Sequence, residues 1–391
     1  MAKKLSNKNT VDFQKAKKKA TAHKILKKLR IPIAVLLVIA IVSVSFVIAG
    51  KTRRSNIADS FKAIPATMGD STGYPYSEDE LSLEKLILVG DKPMLISDTS
   101  IQVLSQNADL LQEIYTDWAD TRAYSQNGRA FVYSNTSNKA ILISRTDTLA
   151  SFSEDGTIVT GTVGKNGSVA LSYTGDNAES IVKVYSPKQK IEFQWEVSRD
   201  YVSSLSLSPN GKNVLISALG VDNAEIYSRV VLFKTSGTEA KFDVKLEGTS
   251  ILKVVYASFN KIIAIGDNKT VIFNSKGEQI SEITYSEDSL FAVDNDSKGN
   301  TLLCYKLYGG SKINIVKIPS IGSIKQFEID CTPISVDIKG SKIAIALDDK
   351  VTIYSPSGTE KNTYECNNNV STVLLTSSGI YTLENGSVCK Y

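Results

Sequence analysis

Asp117, Asp120, Asp200, Asp222, Glu225, Asp243, Asp294 and Asp296 are the acids a glycan-cleaving site could draw on. Glycoside hydrolysis asks a protein for two carboxyls about 5 to 9.5 Å apart, one as acid and one as nucleophile or base. All of these acids fall in turns or at strand ends, where carboxylates are ordinarily just solvated, and no spacing singles out a pair. The base that most other hydrolytic schemes need is absent. The one histidine of the chain is His23, which precedes the apolar segment described below. A Ser-His-Asp or Cys-His mechanism, or a histidine-ligated zinc or iron, therefore has no counterpart in residues 50–391. The stretch Asp294-Asn295-Asp296-Ser297-Lys298-Gly299-Asn300 opens like a calcium loop, with acids at positions one and three and glycine at six. Lys298 at position five and Tyr305 at position twelve replace oxygen ligands that such a loop requires. The residues call for no cofactor and no metal, and they favour a non-enzyme.

The four cysteines, Cys304, Cys331, Cys366 and Cys389, lie in the last quarter of the chain without CxxC spacing. Cys304 and Cys389 sit in apolar strands and read as small core residues. A Cys331–Cys366 bridge competes with free thiols as the resting state. Trp195 continues the alternation of Ile191 and Phe193 and is expected to pack internally. Trp118, after a strand end in YTDWADTRAY, is the aromatic expected to meet a partner. A second candidate contact surface is the insertion Leu219–Tyr227, with Val221, Asp222, Asn223, Ala224 and Glu225 at its tip.

The elements that must carry these residues are short β-strands. From Leu86 onward, apolar runs alternate with polar turn clusters, and no amphipathic helix interrupts them. First turns recur around Asp91, Asn127, Asn166, Asn210, Asn260, Lys298, Gly340 and Ser378, at intervals of 36 to 50 residues. That period belongs to four-stranded propeller blades. The fold class is all-β, a β-propeller of eight blades over residues 85–391, or of seven if the first and last units merge. Asn and Gly in the turns fit two-residue hairpin loops, which need positive φ. The last unit ends at Tyr391 after its third strand. Phe61–Pro65, or residues just after it, are expected to supply the missing outer strand.

Address is written in the N-terminal segment. Residues 31–49 carry no charge, and at about 1.5 Å per residue they match the thickness of a bilayer as one transmembrane signal-anchor helix. A cleaved signal peptide ending at Ala49 is the rival reading. Residues 1–30 hold eleven Lys or Arg and one acid, which places them in the cytoplasm against anionic lipid and the rest outside. Residues 50–84 read as a tether. Residues 1–54 carry fourteen bases and one acid, +13, leaving 31 bases and 40 acids, −9, beyond them. An acidic exterior does not suit nucleic acid.

LSPNGKNVLISA (Leu207–Ala218) resembles the Ser-Pro-Asp-Gly-Lys turn of TolB-like and WD40-like propellers, and YSQNGRAFVY (Tyr124–Tyr133) is a weaker copy. The layout of basic tail, single anchor and degenerate propeller resembles an uncharacterised family of membrane-anchored propeller proteins of Gram-positive bacteria. The resemblance implies a fold and no activity. Its turns lack the Gly-His and Trp-Asp pairs of WD40 repeats and the tryptophan-docking motif of quinoprotein dehydrogenases. The function expected is a non-enzymatic, extracytoplasmic scaffold whose loops bind a cell-envelope protein or glycan. The alternative is an envelope polysaccharide hydrolase or lyase with carboxylates at the funnel, to be recognised by clustered acids there.

Overall fold

The computed structural model describes residues 58–59, 62, 73–77, 83–367 and 369–391. The basic tail and the apolar segment 31–49 lie outside them. No helix among the described residues is long and apolar enough to cross a membrane. The chain divides into two compact units, 1–58 and 59–391, and the second holds every described strand.

Seven four-stranded antiparallel sheets and one three-stranded sheet follow one another along the chain. They form blades 1 to 8, at residues 83–115, 121–153, 158–197, 201–247, 251–284, 290–329, 335–365 and 370–390. In each, the first strand is innermost and sequence neighbours pair, so the eight-bladed reading holds and the merger to seven does not. The second and third strands are buried on both faces, as in Arg129–Ser134 and Lys261–Gly266, because each blade is sandwiched between two others. Their sequences are accordingly continuous apolar runs. Outer strands such as Ile191–Val197 alternate buried and exposed, because the rim meets water on one side.

The core is a ring of eight apolar clusters, each shared by adjacent blades. One joins blades 3 and 4 through Val184, Phe193, Val202 and Phe233, and the last joins blade 8 to blade 1 through Tyr381, Leu383, Leu86 and Leu95. Blade 8 obtains its missing partner from the N-terminal side, as expected, but from a different residue. Tyr76 exchanges two backbone hydrogen bonds with Val388, both 2.8 Å. Tyr74 packs edge-on to Tyr381 with ring centroids 5.2 Å apart and donates its hydroxyl to the Ser105 carbonyl at 2.8 Å. Of Phe61–Pro65 only Lys62 lies within the described residues. Lys62 is helical and pairs with Asp147 of blade 2 at 2.7 Å. Nearby Asp59 is buried, and the lost solvation raises its pKa against the pull of Arg145 and Arg129. Parts of the expected tether are therefore packed on the propeller.

The turns depart from expectation in a useful way. Asn127-Gly128 is a two-residue loop with positive φ at both positions. Asn166 and Asn210 instead leave the positive φ to Gly167 and Gly211. Their side-chain oxygens accept the N–H of Ser168 and Lys212, both at 3.1 Å. Asn166 also donates to the Asn210 carbonyl at 3.0 Å, and Asn127 to the Lys165 carbonyl at 2.8 Å. The recurrent asparagine therefore ties the turn of one blade to that of the next.

Candidate protein-interaction site

An innermost strand has one unpaired edge facing the central channel, and its N–H groups need acceptors. Short polar side chains of the preceding blade supply them. Ser204 and Ser206 accept the Val254 and Tyr256 amides at 3.1 and 3.0 Å. Asp294 and Asp296 accept those of Ile338 and Gly340, both at 2.9 Å. Ser335 accepts the Val373 amide at 3.1 Å and Asp337 accepts that of Leu375. These i, i+2 pairs of Ser or Asp near inner-strand ends are a sequence signal that the search for catalytic acids passed over.

Acids do therefore meet at the channel, as Asp294 and Asp337. Burial, and then the charge and hydrogen bond of Asp294, hold the Asp337 carboxyl protonated well above the usual carboxylate range. The two groups touch, which leaves no gap of the kind a glycosidase needs for a sugar or a water. Each also accepts a main-chain N–H of the next blade. The arrangement is a strap between blades 6, 7 and 8. Asn295 of blade 6 meets the Tyr124 hydroxyl of blade 2 at 3.4 Å. Those blades stand opposite in an eight-membered ring, so the contact spans the channel, and the cavity beside it measures only about 70 Å³. Asp296 accepts from the backbone N–H groups of Lys298 and Asn300, both at 2.9 Å, and from the Asn300 side chain at 2.7 Å. The stretch that opens like a calcium loop is thus a self-capped turn. No group of acids, cysteines or histidines among the described residues is arranged to hold a metal.

The insertion in blade 4 has a definite form. Asn213–Asp222 and Glu225–Lys234 are ten-residue strands paired to their ends, where most other strands have five or six residues. They meet at Asn223-Ala224, both with positive φ, as a two-residue hairpin loop requires. The tip projects beyond the ring and carries the cross-strand pair Val221 and Ile226, 68% and 47% exposed. Its base is braced by buried Asp200, which accepts from the Tyr227 hydroxyl at 2.7 Å and from Arg229 at 2.9 Å. Arg229 also grips Asp243, and these hydrogen bonds raise its pKa further. A Cβ on Gly220 would meet the Tyr227 ring and the Asp200 carboxylate at about 2.5 Å, so only glycine lets the brace close. Asp200 and Asp296, expected in solvent, are 3% and 9% exposed. The sequence neighbours of Asp200 gave no hint, because its partners come from another strand; Asp296 is covered by its own turn and by Gly340 of the next blade.

Around the hairpin, on the same edge of the ring, Tyr201, Leu252, Phe291, Tyr308 and Ile334 are exposed. The predicted contact residues thus divide. Val221, Asp222, Asn223, Ala224 and Glu225 share the projecting tip. Trp118 does not join them: it packs half-buried against the cluster between blades 1 and 2. Trp195 packs internally as expected, 5.0 Å from the Phe233 ring. All four thiols are free, so the Cys331–Cys366 bridge is absent. Cys366 instead shares the Glu384 carboxylate with Cys389, and burial pushes both thiols up to about 11.

The residues that close the ring, Tyr76 and Val388, are also the limits of a family match: residues 76–388 fit the model of DUF5711, a family of unknown function. The chain belongs to that family. No curated protein matches it. Among solved structures, BamB from Moraxella catarrhalis is similar, with a TM-score of 0.51 and 11% identity over 80% of this chain and 100% of that one. The WD40 domain of Pan2 from Neurospora crassa gives a TM-score of 0.42 at 11% identity, over 56% and 71%. At such identity the likeness to BamB bears on the fold alone.

Proposed function

We propose that the protein is a membrane-anchored, extracytoplasmic binding module: a non-enzymatic scaffold that holds a cell-envelope protein against the hairpin edge of its propeller. One observation carries this reading. The blade 4 hairpin spends a buried ion-pair network on holding two aliphatic side chains out in water, an arrangement that gains nothing for the isolated fold and suits a protein interface. The exposed apolar residues on the same edge extend the surface. The closed channel and the touching carboxylates disfavour the hydrolase alternative. The charge-free segment 31–49 and its basic flank support the address.

In-cell crosslinking with mass spectrometry tests the surface. The full chain should capture a defined envelope protein, and Val221→Asp with Ile226→Asp should lose it without loss of folding, since both side chains point into solvent. An unchanged capture pattern would sink the reading. The address is tested with a membrane-impermeant maleimide on intact cells, which should label exposed Cys331. Protection of Cys331 until lysis would place the propeller on the other side.

A further inference from the structure

On the opposite edge of the ring, where the first and third turns of each blade lie, a groove of about 820 Å³ runs between the turns of blades 4 and 5. Lys212, Lys234 and Lys241 stand at its rim, and Glu192 is the one acid lining it. None of the three lysines forms an ion pair among the described residues, in a region whose net charge is −9. Phe259, 79% exposed, forms an apolar wall. The floor holds two nearly buried polar side chains, Asn213 and Tyr256, 8% and 7% exposed. Their backbone N–H groups donate to Ser208 Oγ at 2.9 Å and Ser206 Oγ at 3.0 Å, and the Asn213 carbonyl accepts from the Ser208 amide at 3.0 Å. The Asn213 carboxamide and the Tyr256 hydroxyl have no partner among the described residues.

Both groups open onto the floor of the groove without a protein partner, so a ligand lying in it can meet them. Three ammonium groups set its charge as negative. The carboxamide sets its class, because it offers a donor and an acceptor side by side, as a peptide bond does. A phosphate polymer carries acceptors alone and would leave the Asn213 oxygen unpaired. The apolar wall suits a side chain between acidic residues.

We infer that this groove binds an extended, acidic peptide segment of a partner protein. The inference rests on the reading of the propeller as a protein-binding module and adds a second surface, distinct from the hairpin. Binding is driven by charge at the rim and registered by the main chain on the floor.

The test uses the purified full-length protein and three probes: a fluorescent octapeptide of alternating glutamate and leucine, its glutamine counterpart, and inorganic polyphosphate as competitor. The glutamate peptide should bind at least tenfold tighter than the glutamine peptide and weaken as salt rises. Lys212→Gln, Lys234→Gln and Lys241→Gln together should abolish that preference, and arginine at the same positions should keep it. Asn213→Ala should weaken both peptides. Equal binding of the two peptides, or an unaffected lysine variant, overturns the inference. So does polyphosphate binding that the glutamate peptide cannot displace. Val221→Asp with Ile226→Asp should bind the peptide normally. Loss of peptide binding with hairpin capture intact would therefore fail the groove alone, and the reverse would fail the hairpin alone.

Discussion

Replacing Tyr74 by alanine and Tyr76 by proline in the full chain tests whether the N-terminal strand residue closes the ring. Tyr74→Ala removes the hydroxyl bond to Ser105, worth about 1 kcal/mol net. It also removes the edge-on contact with Tyr381, worth about 1 kcal/mol, and the burial of half a ring, about 1–2 kcal/mol. Proline at 76 cannot donate to Val388, which is fully buried, and the stranded carbonyl costs about 1–3 kcal/mol. The combined loss, about 4–7 kcal/mol, is a large share of the roughly 5–15 kcal/mol that holds a typical domain folded. It falls on one joint. Hydrogen exchange read by mass spectrometry should show Val370–Leu375, Ile380–Glu384 and Ser387–Lys390 exchanging at least tenfold faster, while blades 3 and 4 keep their protection. The urea midpoint, followed by fluorescence of half-buried Trp118 and Trp195, should fall. Unchanged exchange in blade 8 together with an unchanged midpoint would refute the reasoning and show that the apolar cluster between blades 8 and 1 closes the ring unaided.

Further outcomes follow from single contacts. Asp200→Ala strips Tyr227 and Arg229 of a buried acceptor and should cost about 2–3 kcal/mol in urea unfolding, less than a fully isolated charge because Arg229 keeps Asp243. At Gly161 a Cβ would lie 2.2 Å from Cε1 of fully buried Phe131, so Gly161→Ala should cost about 1–3 kcal/mol, partly restored by Phe131→Leu. Asp337 binds its proton more tightly folded than unfolded. Its contribution is complete below the unfolded value of about 4 and is lost as pH rises through the folded pKa, so Asp337→Asn should flatten the decline in thermal stability above pH 4. Alkylation of the native protein at pH 8 should label exposed Cys331 first, then Cys366 and Cys389, whose pKa of about 11 keeps them protonated. Cys304, buried and raised further, should react last, and early labelling there would contradict the packing of blade 6.

What the linear chain determined is everything that repeats or runs in an unbroken stretch. Strand periodicity and turn spacing pointed to a propeller of eight or seven blades, because each blade is built from sequence neighbours and its hairpins are local; the eight separate sheets settled the count. The charge-free segment 31–49, the displacement of bases to one side of it and the single histidine at position 23 are likewise properties of order along the chain. The projecting blade 4 hairpin was legible as an excess of residues between two turns. Whatever depends on contact between blades was not. Asp200 looked like a solvated strand-end acid until Tyr227 and Arg229, 27 and 29 residues on, closed over it. Asp294 and Asp337 lie in different units, and only the ring geometry presses them together and gives each a backbone amide of the next blade. Trp118 follows a strand end, and the neighbouring blade half-buries it. The joint at Tyr76 and Val388 links residues 312 positions apart, and the basic groove assembles lysines from two turns of blade 4 beside an aromatic from blade 5. Those pairings arise when eight locally encoded sheets pack in a circle, and no periodicity within a single blade records which side chain will face which.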